Sequence, residues 1–342
     1  MARYGAEGHA PAPAPTPANG SGAAEVIVRD MMTPDRAFDD FLDDGLRRGW
    51  SERTISTYRR ILRGFTDRLP LDYDISDVKE DDVRRYLGSM KGLSRGTIAH
   101  AEAVLSSAFK WCYLNRKIKA NPMDRIQRTK RIPADELDVT HVSSEDVPKL
   151  LAAARALDAL ASTQTRRVWT HTICLMILVY MGPRRRAVSR LRRRDYDRKN
   201  GHMRFKEKGG KTIWKPVPDE LRPVLDEAAD SGVWAKATDF LVPPAPYAFY
   251  SKEVLDGKED RDDRCIWEIV KACGRKAGVE THVHALRAAF AVYYLKSNPG
   301  DLEGLRALLG HRQLATTAIY LRFLEQEQAM DRVRGLSWED AA

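Results

Sequence analysis

Between Asp195 and Pro218 the chain changes its period, and what lies on either side reads as helix. The stretch DYDRKNGHMRFKEKGGKTIWKPVP carries Asn200-Gly201 and Gly209-Gly210 as tight-turn signals, and Met203 and Phe205 alternate with polar neighbours. Alternation bounded by such turns predicts a three-stranded antiparallel meander. Upstream, DRAFDDFLDDGLRRG places Phe38, Phe41, Leu42 and Leu46 on one helical stripe. SERTISTYRRILRGFTDRL offers Ser51 as N-cap and Ile55, Tyr58, Ile61, Leu62 and Phe65 as an apolar face. KEDDVRRYLGSM is a shorter helix, and SRGTIAHAEAVLSSAFKWCYLNR, opened by Ser94, repeats apolar residues from Ile98 to Cys112. Helices resume at SSEDVPKLLAAARAL, with Ser143 as cap and Pro148 in the first turn. They return after Asp219, apart from the loop VPPAPYAFYSKEVLDGKED. The expected fold class is therefore mainly α (α+β): an all-helical domain, then a mostly helical one with a small three-stranded antiparallel sheet.

A chain of 342 residues has room for two domains with separate cores. The first 30 residues, rich in Pro, Ala and Gly without apolar periodicity, read as a disordered tail. Residues 31–116 form the helical domain, 117–142 a basic linker, 143–336 the second domain and 337–342 a C-terminal tail. The net charge of +9 favours an acidic partner, nucleic acid first. Cys112, Cys174, Cys265 and Cys273 form no CxxC pair and read as free thiols in a reducing compartment. No basic region followed by an apolar run opens the chain. The longest apolar run, ICLMILVYMG from Ile173, is too short for a bilayer and reads as a buried core helix. No membrane role is expected; the expected compartment is the cytoplasm, with nucleoid association on DNA.

That apolar run leads into MGPRRRAVSRLRRRD, which holds seven arginines in the eleven positions from Arg184 to Arg194. The bland reading is a solvated or phosphate-touching face. On a helix over 184–194, however, Arg184, Val188 and Leu191 share the only apolar stripe, so Arg184 should point inward while the others remain in solvent. An inward arginine needs an anionic partner. Expected contacts to a phosphate backbone are Arg190, Arg192 and Arg193 of the run, Lys211 beside the hairpin tip, and Lys130 and Arg131 of the linker.

Downstream candidates are individually weak. Lys208 at the tip of the meander is a proton donor for a leaving group or a solvated lysine. His284 and Arg287, at i and i+3 in THVHALRAAF, suit phosphate binding, although HxxR is common by chance. His282 with His284 as a metal pair lacks Cys, Asp or Glu at ligand spacing. In LLGHRQLATTAIYLRF, His311 follows a glycine, and Tyr320 is either core or a phenol nucleophile.

Taken together, Arg184 after YMGP, Lys208 in KGGK, His284 and Arg287 in HALR, His311 in LLGH and Tyr320 in TTAIY resemble the tyrosine recombinase (phage integrase) family in order and spacing. The likeness covers about residues 140–335, and the preceding helical segment resembles that family's core-type DNA-binding domain. The resemblance implies a site-specific recombinase in which Tyr320 attacks a DNA phosphodiester, leaving a 3′-phosphotyrosyl enzyme and a free 5′-hydroxyl. Arg184 and Arg287 would clamp the non-bridging oxygens and Lys208 would protonate the leaving oxygen. His284 would assist proton transfer at the tyrosine, and His311 would hydrogen-bond the phosphate. No cofactor, metal or ATP is implied. Implied partners are double-stranded attachment or recombination sites, a homo-tetramer on two duplexes, and directionality or architectural factors. The segment after Tyr320 would dock on a neighbouring protomer. No separate arm-type DNA-binding domain is expected, which suggests simpler attachment sites, or a resolvase-like or Xer-like role.

The pattern departs from the family at Pro183, Ala187 and Ala288, and Ala187 bears on how Arg184 is oriented. An integrase of a phage or mobile element is the favoured setting. The alternatives are an Xer-like chromosome or plasmid resolvase, a non-catalytic DNA-binding protein on the same fold, and a type IB topoisomerase-like relaxing enzyme.

Overall fold

The computed structural model describes residues 31–129, 140–164, 167–206, 210–245 and 250–324. The expected N-terminal tail, Lys130, Arg131, Lys208, and the expected docking segment and C-terminal tail past Leu324 lie outside the described residues. The chain divides into two compact units, one up to Ile132 and one from Pro133.

The first unit is built from α1 (Pro34–Arg47), α2 (Glu52–Thr66), α3 (Glu80–Ser89) and α4 (Arg95–Leu114). Thr33, Ser51 and Ser94 sit in extended backbone, and each side-chain oxygen accepts from an amide of the first turn. Such caps satisfy donors that no helical carbonyl can reach. Phe38, Phe65 and Phe109 meet edge-on or tilted, with Phe38 and Phe109 centroids 5.4 Å apart. Leu46, expected on the same stripe, is 45% exposed. It lies in the last turn of α1, while Phe38, Phe41 and Leu42 already fill the interface. Ile118 and Met123, expected in the linker, are buried in this same core.

The second unit holds α5 (Asp146–Ala161), α6 (Thr170–Met181), α7 (Arg185–Arg190), β1 (Tyr196–Asp197), β2 (His202–Lys206), β3 (Thr212–Pro216), α8 (Arg222–Asp230), α9 (Lys252–Leu255), α10 (Arg264–Ala277), α11 (Val283–Ser297), α12 (Leu302–Leu309) and α13 (Ala315–Ala318). The apolar run is α6, which packs against α5, α10 and α11 and buries every residue from Thr172 to Leu178. A helix apolar all round requires this enclosure. Its N-terminus is capped from α5, where Asp158 accepts from the amides of His171 and Thr172 at 2.9 and 2.8 Å. Among the described residues, no helix is long and apolar enough to cross a membrane. All four cysteines are free thiols; Cys112, Cys174 and Cys273 are buried, and Cys265 is half-buried.

The three strands form an antiparallel sheet in the order β1-β2-β3, with Met203 opposite Lys215 and Phe205 opposite Ile213. Gly201 and Gly210 adopt positive φ at the two turns. Met203 and Phe205 face the core.

The arginine run departs from one continuous helix. α7 ends at Arg190, and Arg193–Asp195 form a 3-10 turn. The reason is competition for backbone: the amides of Arg193 and Arg194 donate to the carbonyls of Asp239 and Ala237, and Leu241 donates to Leu191. Arg192, expected in solvent, is 4% exposed. Its guanidinium donates to the carbonyls of Thr238, Val254 and Glu259. It also lies 3.7 Å from the Phe240 ring centroid, with buried Arg261 at 4.1 Å from the same ring. Burial first, and Arg261 next, hold the Arg192 pKa below the ordinary arginine value.

Candidate active site

The site is assembled where two helices end. Gly182 and Gly310 terminate α6 and α12 in the left-handed conformation. Such ends leave carbonyls without helical partners and carry the negative end of the helix dipole. Cations from other elements converge there. Arg287 of α11, 3% exposed, donates from Nη1 to the Gly182 carbonyl at 2.6 Å and from Nη2 to the Leu309 carbonyl at 2.7 Å. Arg184, the residue before α7, donates to the same Leu309 carbonyl at 3.4 Å. Val188 and Leu191 are buried, but the helical stripe expected to carry Arg184 is not formed: Arg184 precedes α7 in extended backbone, is half-buried, and reaches the site from there.

His311 follows Gly310. Its Nε2 lies 3.0 Å from Arg287 Nη2 and its Nδ1 lies 2.9 Å from the Thr317 hydroxyl. A guanidinium can only donate, so Nε2 accepts and the proton sits on Nδ1. Burial pushes the imidazole pKa down to about 4, with Arg287 and then Arg184 adding to the shift. A neutral ring is what this geometry demands. Arg306 donates to the His311 carbonyl at 2.7 Å and fixes the loop.

Tyr320 lies two residues past α13 and is 1% exposed, packed on Ala288, Leu305 and Leu309. Its phenol is nevertheless within the electrostatic reach of Arg287 and Arg184. Burial raises the phenol pKa, while Arg287 and Arg184 pull it back. His284 is one turn ahead of Arg287 on α11 and keeps solvent access. Desolvation by its neighbours, then Arg287, His282 and Arg184, lower its pKa.

Arg184, His284, Arg287, His311 and Tyr320 therefore gather in one place, although they span elements far apart in the chain. Lys208 lies outside the described residues, and Lys211 is exposed just beyond it. Arg190 pairs with Asp260 at 2.6 Å, and Arg185 with Asp263 at 3.1 Å. Arg193 donates to the Tyr196 carbonyl at 3.0 Å, whereas Arg186 and Arg194 are exposed. Among the described residues, no group of three or more His, Cys, Asp or Glu is placed to hold a metal ion. Ala187, one of the departures from the family pattern, is buried against the core, and the Leu309 carbonyl accepts from the Arg184 guanidinium. Thr317, fully buried, escaped the sequence reading because one hydroxyl in LATTAIY carries no pattern of its own.

Comparison with known proteins identifies the family and the fold. Residues 141–327 match the phage integrase family, and residues 38–115 match the phage integrase N-terminal SAM-like domain. A tyrosine recombinase of Thermosipho africanus is 27% identical over 314 residues, covering 87% of this chain and 98% of that protein. Tyrosine recombinase XerD of Shewanella oneidensis is 27% identical, covering 84% of this chain and 91% of its own length. Among solved structures, a lambda integrase tetramer bound to a Holliday junction aligns with TM-score 0.65 at 15% identity, covering 85% of this chain and 78% of that one. XerH bound to palindromic difH in a post-cleavage complex aligns with TM-score 0.64 at 20% identity, covering 88% and 84%. At these identities the structural likeness speaks for the fold.

Proposed function

Because the chain belongs to the phage integrase family, the tyrosine recombinases, we propose that its chemistry is carried by Tyr320 with Arg184, Lys208, His284, Arg287 and His311. The enzyme is a site-specific recombinase that cleaves and rejoins DNA. In this reading Tyr320 Oη attacks the scissile phosphorus, the bond to the 5′-oxygen breaks, and a 3′-phosphotyrosyl link forms. Lys208 delivers a proton to the departing oxygen, and His284 takes the proton from the phenol. Arg184 and Arg287 stabilise the charge on the non-bridging oxygens, and His311 hydrogen-bonds the phosphate. Rejoining is the reverse attack by a 5′-hydroxyl, so the phosphodiester energy is retained and no ATP is consumed.

The observation that carries this reading is the convergence of Arg184, Arg287 and His311 on the ends of α6 and α12, with Tyr320 close enough for both guanidinium groups to act on its phenol.

The test uses nicked duplexes made from the source genome, selected for a detergent-stable adduct with the native chain. Tyr320→Phe should retain binding to the selected duplex within about threefold and form no adduct. Binding with no adduct from the native chain would make it a DNA-binding protein only. Relaxation of plasmids without any selected site would instead indicate a topoisomerase-like enzyme.

The biological setting we propose is integration of a phage or mobile element, by a tetramer on two duplexes aided by directionality or architectural factors. Assembly on a Holliday junction in the aligned lambda integrase supports the tetramer. Mapping the adducts decides the setting: attachment-like repeats flanking the gene mean integration, and a single chromosomal site away from it means resolution. The cytoplasm, on the nucleoid, is the proposed location.

A further inference from the structure

Lys215 is a buried cation to which the chemistry above assigns nothing. It lies on β3, is 2% exposed, and stands 5.0 Å over the Phe205 ring. Its Nζ donates to the Met181 carbonyl at 2.9 Å. The next carbonyl along the chain, Gly182, accepts from Arg287 at 2.6 Å, and Arg184 follows two residues later. Two cations from separate elements are thus hydrogen-bonded to consecutive carbonyls at the end of α6. Desolvating an ammonium is costly, and the negative end of a helix is one of few places that compensates it without a carboxylate.

The turn from Met181 to Arg184 orients Arg184 and supplies the seat of Arg287. β3 also pairs with β2, and Lys208 falls between the two strands in the sequence. A hydrogen bond from β3 to Met181 therefore ties the hairpin to the turn that carries the first arginine.

Resting on the recombinase reading above, we propose that Lys215 is a positioning residue for DNA cleavage: through the Met181 carbonyl it holds the 181–184 turn, and with it Arg184 and Arg287, in the geometry that receives the scissile phosphate. Lys215 does not deliver the proton to the leaving group, because its ammonium is enclosed by Phe205 and the α6 terminus.

The experiment compares the full native chain with Lys215→Met and Lys215→Arg on three versions of the selected duplex. One carries the ordinary phosphodiester and one a sulphur in place of the 5′-bridging oxygen. The third carries a methylphosphonate, which is neutral and needs less cationic stabilisation. Lys215→Met should bind with unchanged affinity and cleave the ordinary duplex about 10- to 100-fold more slowly at saturating DNA, the scale of loss from slight misplacement of reacting groups. The same loss should persist on the sulphur substrate, whose thiolate leaves without a proton, and shrink to under about threefold on the methylphosphonate. Lys215→Arg, which keeps a charged donor, should recover most of the rate.

Full rescue by sulphur would overturn the proposal by making Lys215 the acid. Unchanged cleavage, or an equal loss on all three substrates, would overturn it as well. If Lys215→Met does not fold, Lys215→Gln replaces it: an amide donor without charge should show the same substrate pattern, and any other pattern counts against the proposal. No adduct from the native chain on any duplex would refute the recombinase reading itself, an outcome distinct from all of these.

Discussion

His311 shows how tightly one side chain is specified here. With Arg287 donating to Nε2 and Thr317 accepting from Nδ1, the ring is neutral, and its pKa is depressed to about 4. In an unfolded chain the imidazole titrates near 6.5. Between those values the unfolded chain holds a proton that the folded chain does not, so stability is full above about pH 6.5 and declines as pH falls toward about 4. The expected loss is on the order of 3 kcal/mol. Urea midpoints measured across that window should show it, and His311→Gln should flatten the slope. Arg192 offers the opposite lesson in legibility. His284, Arg287, His311 and Tyr320 were readable because each falls within a compact motif. The partners of Arg192 are backbone carbonyls of residues 238, 254 and 259, and carbonyls leave no trace in residue type. Arg192→Met should cost about 2–4 kcal/mol in urea denaturation, as removal of a buried hydrogen-bonded group does. It should leave the salt dependence of DNA binding unchanged. A flattened salt dependence without loss of stability would mean that Arg192 works on DNA after all.

Among the elements, the end of α6 matters most. Gly182 has φ of 56°, and a Cβ there would stand 2.3 Å from Phe290 Cδ1. Backbone conformation and space both select glycine. Gly182→Ala should destabilise by about 1–3 kcal/mol, read from urea unfolding, and should slow cleavage at saturating DNA because the displaced carbonyl seats Arg287. α6 itself was legible, since an apolar run of that length has to be enclosed. The end of α7 was not: helical stripe logic extended it to Arg194, but the 237–241 segment takes up the backbone after Leu191, and nothing local announces a partner so far along the chain. Lys215 escaped for a related reason. Its inward direction follows only once β3 is registered against β2 with Met203 opposite it.

At the scale of the molecule, two units with separate cores account for the two helical regions foreseen on either side of a basic stretch. A fragment of residues 31–129 should fold alone, melting cooperatively by circular dichroism with the helical signal of α1–α4. A featureless melt would mean that the second unit is required. Of the seven clustered arginines, Arg184 serves the site, Arg192 is buried, Arg185 and Arg190 pair with aspartates, and Arg193 is tied to Tyr196. Intramolecular partners compete with phosphate for these side chains, so the run should contribute less to the salt dependence of DNA binding than seven free arginines would. The densest basic stretch of the chain is thus largely engaged in contacts within the protein, although only Arg192 is buried. Encounters with random sequence should accordingly be brief, leaving the protein free to sample many stretches of a genome before it commits at one.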